Sequence, residues 1–522
     1  MNSKNMLLKL LSVMIVFSVL ITACGAPATE APVATEAPAM TEAPAATEAP
    51  AATEAPAGKI YDGVTIDILT FVGPQVAEPL QRRGPDFTEL TGATVNIITV
   101  PNSELYQKVL TDAASGTNAY DGYLFAPSWI VDFAPAGLIE DLTPYVEKDA
   151  ALEWDDVAPF FRDFNSYGGK VYSIPLDGDM HMVYYRIDSL EEAGLEPPKS
   201  WDDYLNVAKT LNGKDLNGDG EADYGSCISK APAQQSYWWI WSIAAPYIQS
   251  QGNTQGAFFN TKDMTPLVNN DAFKRALEVY KETGLYGPPD ETNQGVGDSR
   301  GLFISGRCAL TMDWGDIGPL AIAPDSKVTD KVGALINPGS TEVLDWDTGK
   351  LVACDATTCP YAIDGVNHAP FASFGGWAGA VNAAVDQKEK DAAYAFFSYM
   401  AQPAQSNADV VVGATGYNPF RISQFEDKQA WIDAGFSQAA ADSYLSGIEN
   451  SLNSPNMVAD LRIPKNHDYI QVELDRILSE YIAGDLTTDE AAQQLYDSWE
   501  AITEEAGREA QLTFYKGTIG AK

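Results

Sequence analysis

Basic side chains are scarce in this chain: 33 Lys and Arg stand against 72 Asp and Glu, a formal charge of −39. That balance argues against a nucleic-acid partner and against docking on an anionic membrane surface. Histidine is scarcer still. His181, His368 and His467 are the only three, too few to support a zinc site or much general-base chemistry near neutral pH. No His-Glu-x-x-His helix or phosphate-binding glycine loop occurs. Apolar runs are short, and Leu10 to Ile21 falls below the length of a bilayer span. What is abundant is aromatic: 24 Tyr, 20 Phe and 11 Trp in 522 residues, with 45% hydrophobic residues overall. Such a chain folds, and its length suits two domains with full cores.

The first 58 residues belong to neither domain. Lys4 and Lys9 precede the apolar stretch, which ends at Ile21-Thr22-Ala23-Cys24. This resembles a bacterial lipobox, so residues 1–23 read as a lipoprotein signal and Cys24 as the lipidated first residue of the mature chain. Residues 24–58 repeat Thr-Glu-Ala-Pro with a period of six, from Thr29 to Thr53. Proline at that spacing blocks helix and the composition cannot form a core, which leaves a disordered stalk of at most about 100 Å.

Strand, helix, strand, helix and strand follow from Val64 to Ala126, the pattern of a parallel sheet covered on both faces. Ligands of such sheets bind at the carboxyl ends of strands. That places Phe71 to Pro74 and Phe125 to Trp129 at one rim. Lys170 to Pro175 alternates like a strand, Asp177-Gly-Asp179 breaks the pattern, and Met182 to Arg186 resumes it. A helix then starts at Ser200, with Asp203 placed for a capping box and Trp201, Tyr204, Leu205, Ala208 and Leu211 on one face.

Gly169-Lys170, Pro175, Asp179, Tyr185-Arg186, Ala193-Gly194-Leu195 and Pro197-Pro198-Lys199-Ser200-Trp201-Asp202 stand in register with a known pattern. The chain resembles the extracellular solute-binding proteins of ABC importers, in the family that includes maltose-binding protein. Leu302 to Trp314, Phe374 to Asn382, Gly416 to Arg421 and Gly484 to Ile502 extend the likeness.

The resemblance implies an α/β fold of two lobes, each a central β-sheet flanked by helices, with hinge crossovers and an interlobe cleft. Lobe one is expected from 59–177 and 378–424, lobe two from 178–377 and 425–522. Crossovers are expected near Asp177 to His181, near Gly375 to Gly379 and after Arg421. The implied function is a monomeric, lipid-anchored, extracytoplasmic component that captures a carbohydrate, an oligosaccharide by preference, and delivers it to permease subunits. A peptide or polyamine ligand is the alternative within binding proteins. A secreted glycoside hydrolase is the alternative outside them, and two carboxyls at a defined separation would be its mark.

Candidate ligand contacts come from two sources. Tryptophan at helical spacing is ordinarily core, which assigns Trp201 and Trp499 to packing. Trp129, Trp314 and Trp377 instead occupy loops at strand ends, where an indole can meet a sugar face; Gly376 leaves Trp377 uncrowded. One of Tyr237, Trp238 and Trp239, with Trp238 chosen, should join them. The resemblance adds Phe125 as a stacking ring, Ser128 as a polar contact (the relatives carry an acid there) and Asp179 as a hydroxyl acceptor.

Two further features concern stability. Asp215, Asn217, Asp219, Glu221 and Asp223 alternate as oxygen ligands around Gly220, the first part of an EF-hand-like calcium loop; Ser226 at the twelfth position departs from it. Cys354 and Cys359 bracket a turn-like tetrapeptide and read as a local disulfide. Cys227 and Cys308 leave two readings open, buried thiols or a second bridge.

Overall fold

The computed structural model describes residues 59–522 except Pro74, Phe374 and Ala414, so Cys24 and the stalk lie outside the described residues. Among these residues, two principal sheets carry the fold. The first orders its five strands Thr94–Val100, Thr65–Phe71, Gly122–Phe125, Ala378–Val381 and Ile174–Pro175. Thr65–Phe71 runs parallel to both neighbours, as the helices Ala77–Thr91 and Asn102–Ser115 between these strands require. Ala378–Val381 arrives antiparallel to both of its neighbours. The sheet expected to be parallel is therefore mixed, because its last strand returns from the other sheet.

That second sheet orders Val332–Ile336, Met182–Arg186, Cys308–Asp313 and Tyr224–Cys227. The chain leaves the first sheet at Pro175, enters the second at Met182, and rejoins the first at Ala378. Arg421, fully buried, donates to the carbonyls of Leu152, Glu153 and Ala401 beside the first sheet. The helix Gln438–Leu452 lies against the second, where the Ala334 amide donates to Ser443 Oγ at 2.9 Å. A third crossing lies between them.

Local chemistry explains most element ends. Ser200 and Asp203 form a reciprocal capping box, as do Thr487 and Glu490, and Asn270 caps Asp271–Thr283. Ser236–Ile248 is apolar all round and buried at every position. Trp201 and Trp499 are fully buried, as their spacing implies. One expected strand is broken. Lys170–Val171 pairs in a hairpin with Ser166–Tyr167, while Ile174–Pro175 edges the first sheet. Between them the buried Ser173 hydroxyl donates to Asn165 Oδ1, so the ladder stops where a side chain takes over its role.

The Asp215 loop closes on its own backbone. Asp215 accepts from the amides of Gly218, Asp219 and Gly220, Asp219 accepts from Asn217 Nδ2 and the Glu221 amide, and Asp223 pairs with Arg307 at 2.8 Å. Among the described residues no three His, Cys, Asp or Glu side chains are gathered as ion ligands. In this conformation Asp223 pairs with Arg307, and Asp215 and Asp219 accept from amides of the turn.

Both cysteine pairs are bonded, Cys227 to Cys308 and Cys354 to Cys359, across sequence separations of 81 and 5 residues. Loop-closure entropy assigns about 4.5 kcal/mol to the long loop and about 2 kcal/mol to the short one. Replacing Cys227 and Cys308 with alanine should therefore destabilise more than the same change at Cys354 and Cys359, measured by urea titration. Equal losses would overturn that ranking.

Candidate ligand-binding site

A cavity of about 350 Å³ lies where the ends of the two sheets face one another. One side is built by Phe71, which ends the strand Thr65–Phe71, by Val72 and Gln75 just after it, and by Pro101 and Asn102 after Thr94–Val100. The other side is built by Gln234, Gln235, Arg300, Trp314 and Asp316, with Asp179, Trp377 and Gly416 from the crossing segments. The carboxyl ends of parallel strands thus supply one wall, as the strand order implies.

The aromatic walls are fixed rather than loose. Trp377 meets the Phe71 ring with centroids 4.7 Å apart. Trp314 follows the strand Cys308–Asp313; its amide donates to Asp313, its carbonyl accepts from Tyr184 Oη, and its indole donates to Gln235 Oε1 at 3.1 Å. His181 backs it at 3.8 Å between centroids, with Nδ1 on Ser242 Oγ, and burial holds that imidazole well below its usual pKa. A neutral, packed histidine gives the indole a rigid support.

The floor is acidic. Asn418 Nδ2 lies 2.6 Å from Asp179 Oδ1, 3.2 Å from Asp177 Oδ1 and 3.4 Å from Asp316 Oδ2, so three carboxyls converge on one amide. Arg300, on the helix Val296–Ile304, donates to Asp313 at 2.7 and 3.0 Å and to Asp316 at 2.5 Å. Burial opposes its charge, yet Asp313 and Asp316 outweigh burial and hold the guanidinium above its usual pKa. Burial pushes Asp177 up to about 7 and Asp313 up to about 6. Burial first, then the neighbouring Asp177 and Asp316, raises Asp179 well above the usual carboxylate range.

Of the sequence-expected contacts, Asp179, Trp314 and Trp377 line this cavity. The others do not. Phe125 is fully buried within the first sheet, packed on Phe133 and Trp129. Trp129 meets Tyr106 edge to face at 5.1 Å, and buried Ser128 presents its carbonyl to Asn466 Nδ2. Trp238 lies one layer behind, edge-on to Trp314 at 5.3 Å and donating to Asp460. Gly376 serves the crossing rather than the indole: its φ is +86°, and a Cβ there would lie 2.0 Å from the Asp177 carbonyl.

Arg300, Asp316, Gln75, Gln234 and Gln235 were not foreseen. Asp316 stands two residues past the recognised run ending at Trp314, and Gln235 immediately precedes the aromatic helix. Acids and amides bordering apolar segments were the available signal.

Residues 73–407 match the family described as bacterial extracellular solute-binding protein. The chain belongs to that family. Its members are extracellular or periplasmic binding proteins rather than enzymes. Over 256 residues the chain is 28% identical to the mannitol-binding protein of Pseudomonas aeruginosa, covering 48% of this chain and 54% of that protein. It is 29% identical over 236 residues to the erythritol/L-threitol-binding protein of Mycolicibacterium smegmatis, covering 42% and 46% respectively. The match thus spans about half the length of these curated relatives. Among solved structures it resembles an ABC transporter solute-binding protein of Agrobacterium radiobacter K84 in complex with ribitol. The TM-score is 0.69 at 22% identity, covering 85% of this chain and 100% of that one. The fold of this binding protein is accordingly the two-lobed α/β fold.

The buried floor makes a pH-dependent contribution. Asp177 keeps its proton in the folded state up to about pH 7, whereas the unfolded chain releases it near pH 4. The folded state therefore binds more protons across that window, and this group's contribution to stability falls as pH rises through it. Asp177→Asn preserves an oxygen for Asn418 and should gain stability relative to the parent between about pH 5 and about pH 8. A constant difference in denaturant titrations across that range would overturn the assignment.

Proposed function

We propose that this chain is the lipid-anchored, extracytoplasmic component of an ABC importer that captures a small polyhydroxylated solute, a polyol or monosaccharide, between its lobes. Lobe one comprises 59–177 and 378–424, lobe two 178–377 and 425–522. The observation that carries the reading is the cavity itself. Phe71, Trp314 and Trp377 offer apolar faces, while Asp179, Asp316, Gln75, Gln234 and Gln235 offer the acceptors and amides that hydroxyls need. At about 350 Å³ the cavity is near the lower end of small-molecule sites, which favours one sugar or polyol over the oligosaccharide expected from sequence. The ligands of the relatives, mannitol and erythritol or L-threitol, agree in class, as does the ribitol of the structural neighbour.

Anchoring rests on the lipobox-like Ile21-Thr22-Ala23-Cys24, and the permease is the partner that family membership implies. Nothing in the floor favours a hydrolase, because Asp179 and Asp316 are drawn onto one Asn418 amide instead of being held free for acid and base roles.

A thermal-shift screen of detergent-solubilised full-length protein should identify the ligand, since saturation at 100 times the dissociation constant adds about 2.7 kcal/mol. Trp377→Ala should cost about 2 kcal/mol of affinity by calorimetry, as buried central indoles do. A large loss of melting temperature with unchanged affinity would make Trp377 a core residue, and turnover of a bound sugar would revive the hydrolase. Cys24→Ala should move the protein from the membrane fraction to the soluble one; retention on the membrane would refute the lipid anchor.

A further inference from the structure

Acidic groups around the cavity outnumber cationic ones. Asp179 and Asp316 line it, and Asp177 and Asp313 are buried immediately behind. Against these four carboxyls the described lining residues offer one cation, Arg300, already engaged by both Asp313 and Asp316. The other arginines on this side are committed elsewhere: Arg82 and Arg83 both bind Asp409, at 2.9 and 2.7 Å. Asn418 supplies two amide protons to three carboxyls. A neutral polyol would leave this excess of acid as it is. A positive group placed against Asp179 would offset it, and pairing with a mostly buried carboxyl is strong.

A second set of groups points the same way. Phe71, Trp314 and Trp377 line the cavity, and aromatic ring faces attract an ammonium. Gln75, Gln234, Gln235 and Asn102 remain for uncharged polar groups. The site therefore combines acids and aromatic faces for a cation with amides for hydroxyls.

We infer that the ligand is an aminated polyol or amino sugar, its ammonium held between Asp179, Asp316 and the aromatic walls. This rests on the polyol reading above and narrows it. Burial raises the pKa of Asp179, and an ammonium beside it would lower that pKa again.

The test is calorimetry on detergent-solubilised full-length protein with matched probes. D-glucamine is compared with D-glucitol, D-glucosamine with D-glucose and with N-acetyl-D-glucosamine, and spermidine serves as an amine without hydroxyls. At least one amine should bind about tenfold or more tightly than its neutral partner. Acetylation should remove the gain, and Asp179→Asn should shrink the ratio. If Asp179→Asn fails to fold, Asp316→Asn and the parent protein's own ratios decide. Neutral probes binding as well as amines would overturn this inference and leave the polyol reading standing. Spermidine binding as tightly as the hydroxylated amines would overturn the hydroxylated class, and no binding by any probe would remove both readings.

Discussion

The structure depends on a contact between backbone and one buried carboxyl where the crossing segments meet. Asp177 Oδ1 accepts from the Asn418 amide at 2.7 Å, and the Gly178 amide donates back to the Asn418 carbonyl at 3.1 Å. The Leu176 amide donates to the Trp377 carbonyl at 3.0 Å, so a third pass of chain joins the same knot. These passes come so close that side chains are excluded. A Cβ on Gly178 would lie 2.1 Å from the Pro419 carbonyl oxygen. The hinge and the floor of the cavity are therefore one object, and a ligand on Asp179 or Trp377 touches the strands of chain about which the lobes can move.

How far this was legible in the sequence follows from range. Capping boxes, the buried aromatic helix and the crossing between Pro175 and Met182 are written in neighbouring residues, and they were readable. Trp314 and Trp377 were readable too, because each leaves or enters a strand beside a glycine. Phe125, Ser128 and Trp129 were placed on the rim by strand position, yet the rim there is covered: Asn466 binds the Ser128 carbonyl, and His467 stacks on Tyr106 beside Trp129. That cover comes from more than 300 residues downstream, beyond any local signal.

The same argument explains Arg300 and Asp316. On its helix Arg300 looks like a solvated charge among glycines; only the fold brings it to Asp313 and Asp316. The Asp215 loop shows the converse. Its spacing is locally compelling, but Asp223 meets Arg307 from 84 residues away, and that pair redirects one of the expected ligands. Spacing determines which groups share a loop, whereas distant partners determine where those groups point.

The acidity of this protein has two parts with different physics. Most of the −39 formal charge belongs to solvated side chains, where water and salt screen each acid and the summed field draws cations towards the protein over a Debye length. The floor acids lie beyond the reach of that screening. Burial makes ionising Asp177 and Asp179 costly, and Arg300 is hydrogen-bonded to Asp313 and Asp316 rather than to them. An outer, screened field thus surrounds a floor whose acids are governed by burial and by Arg300.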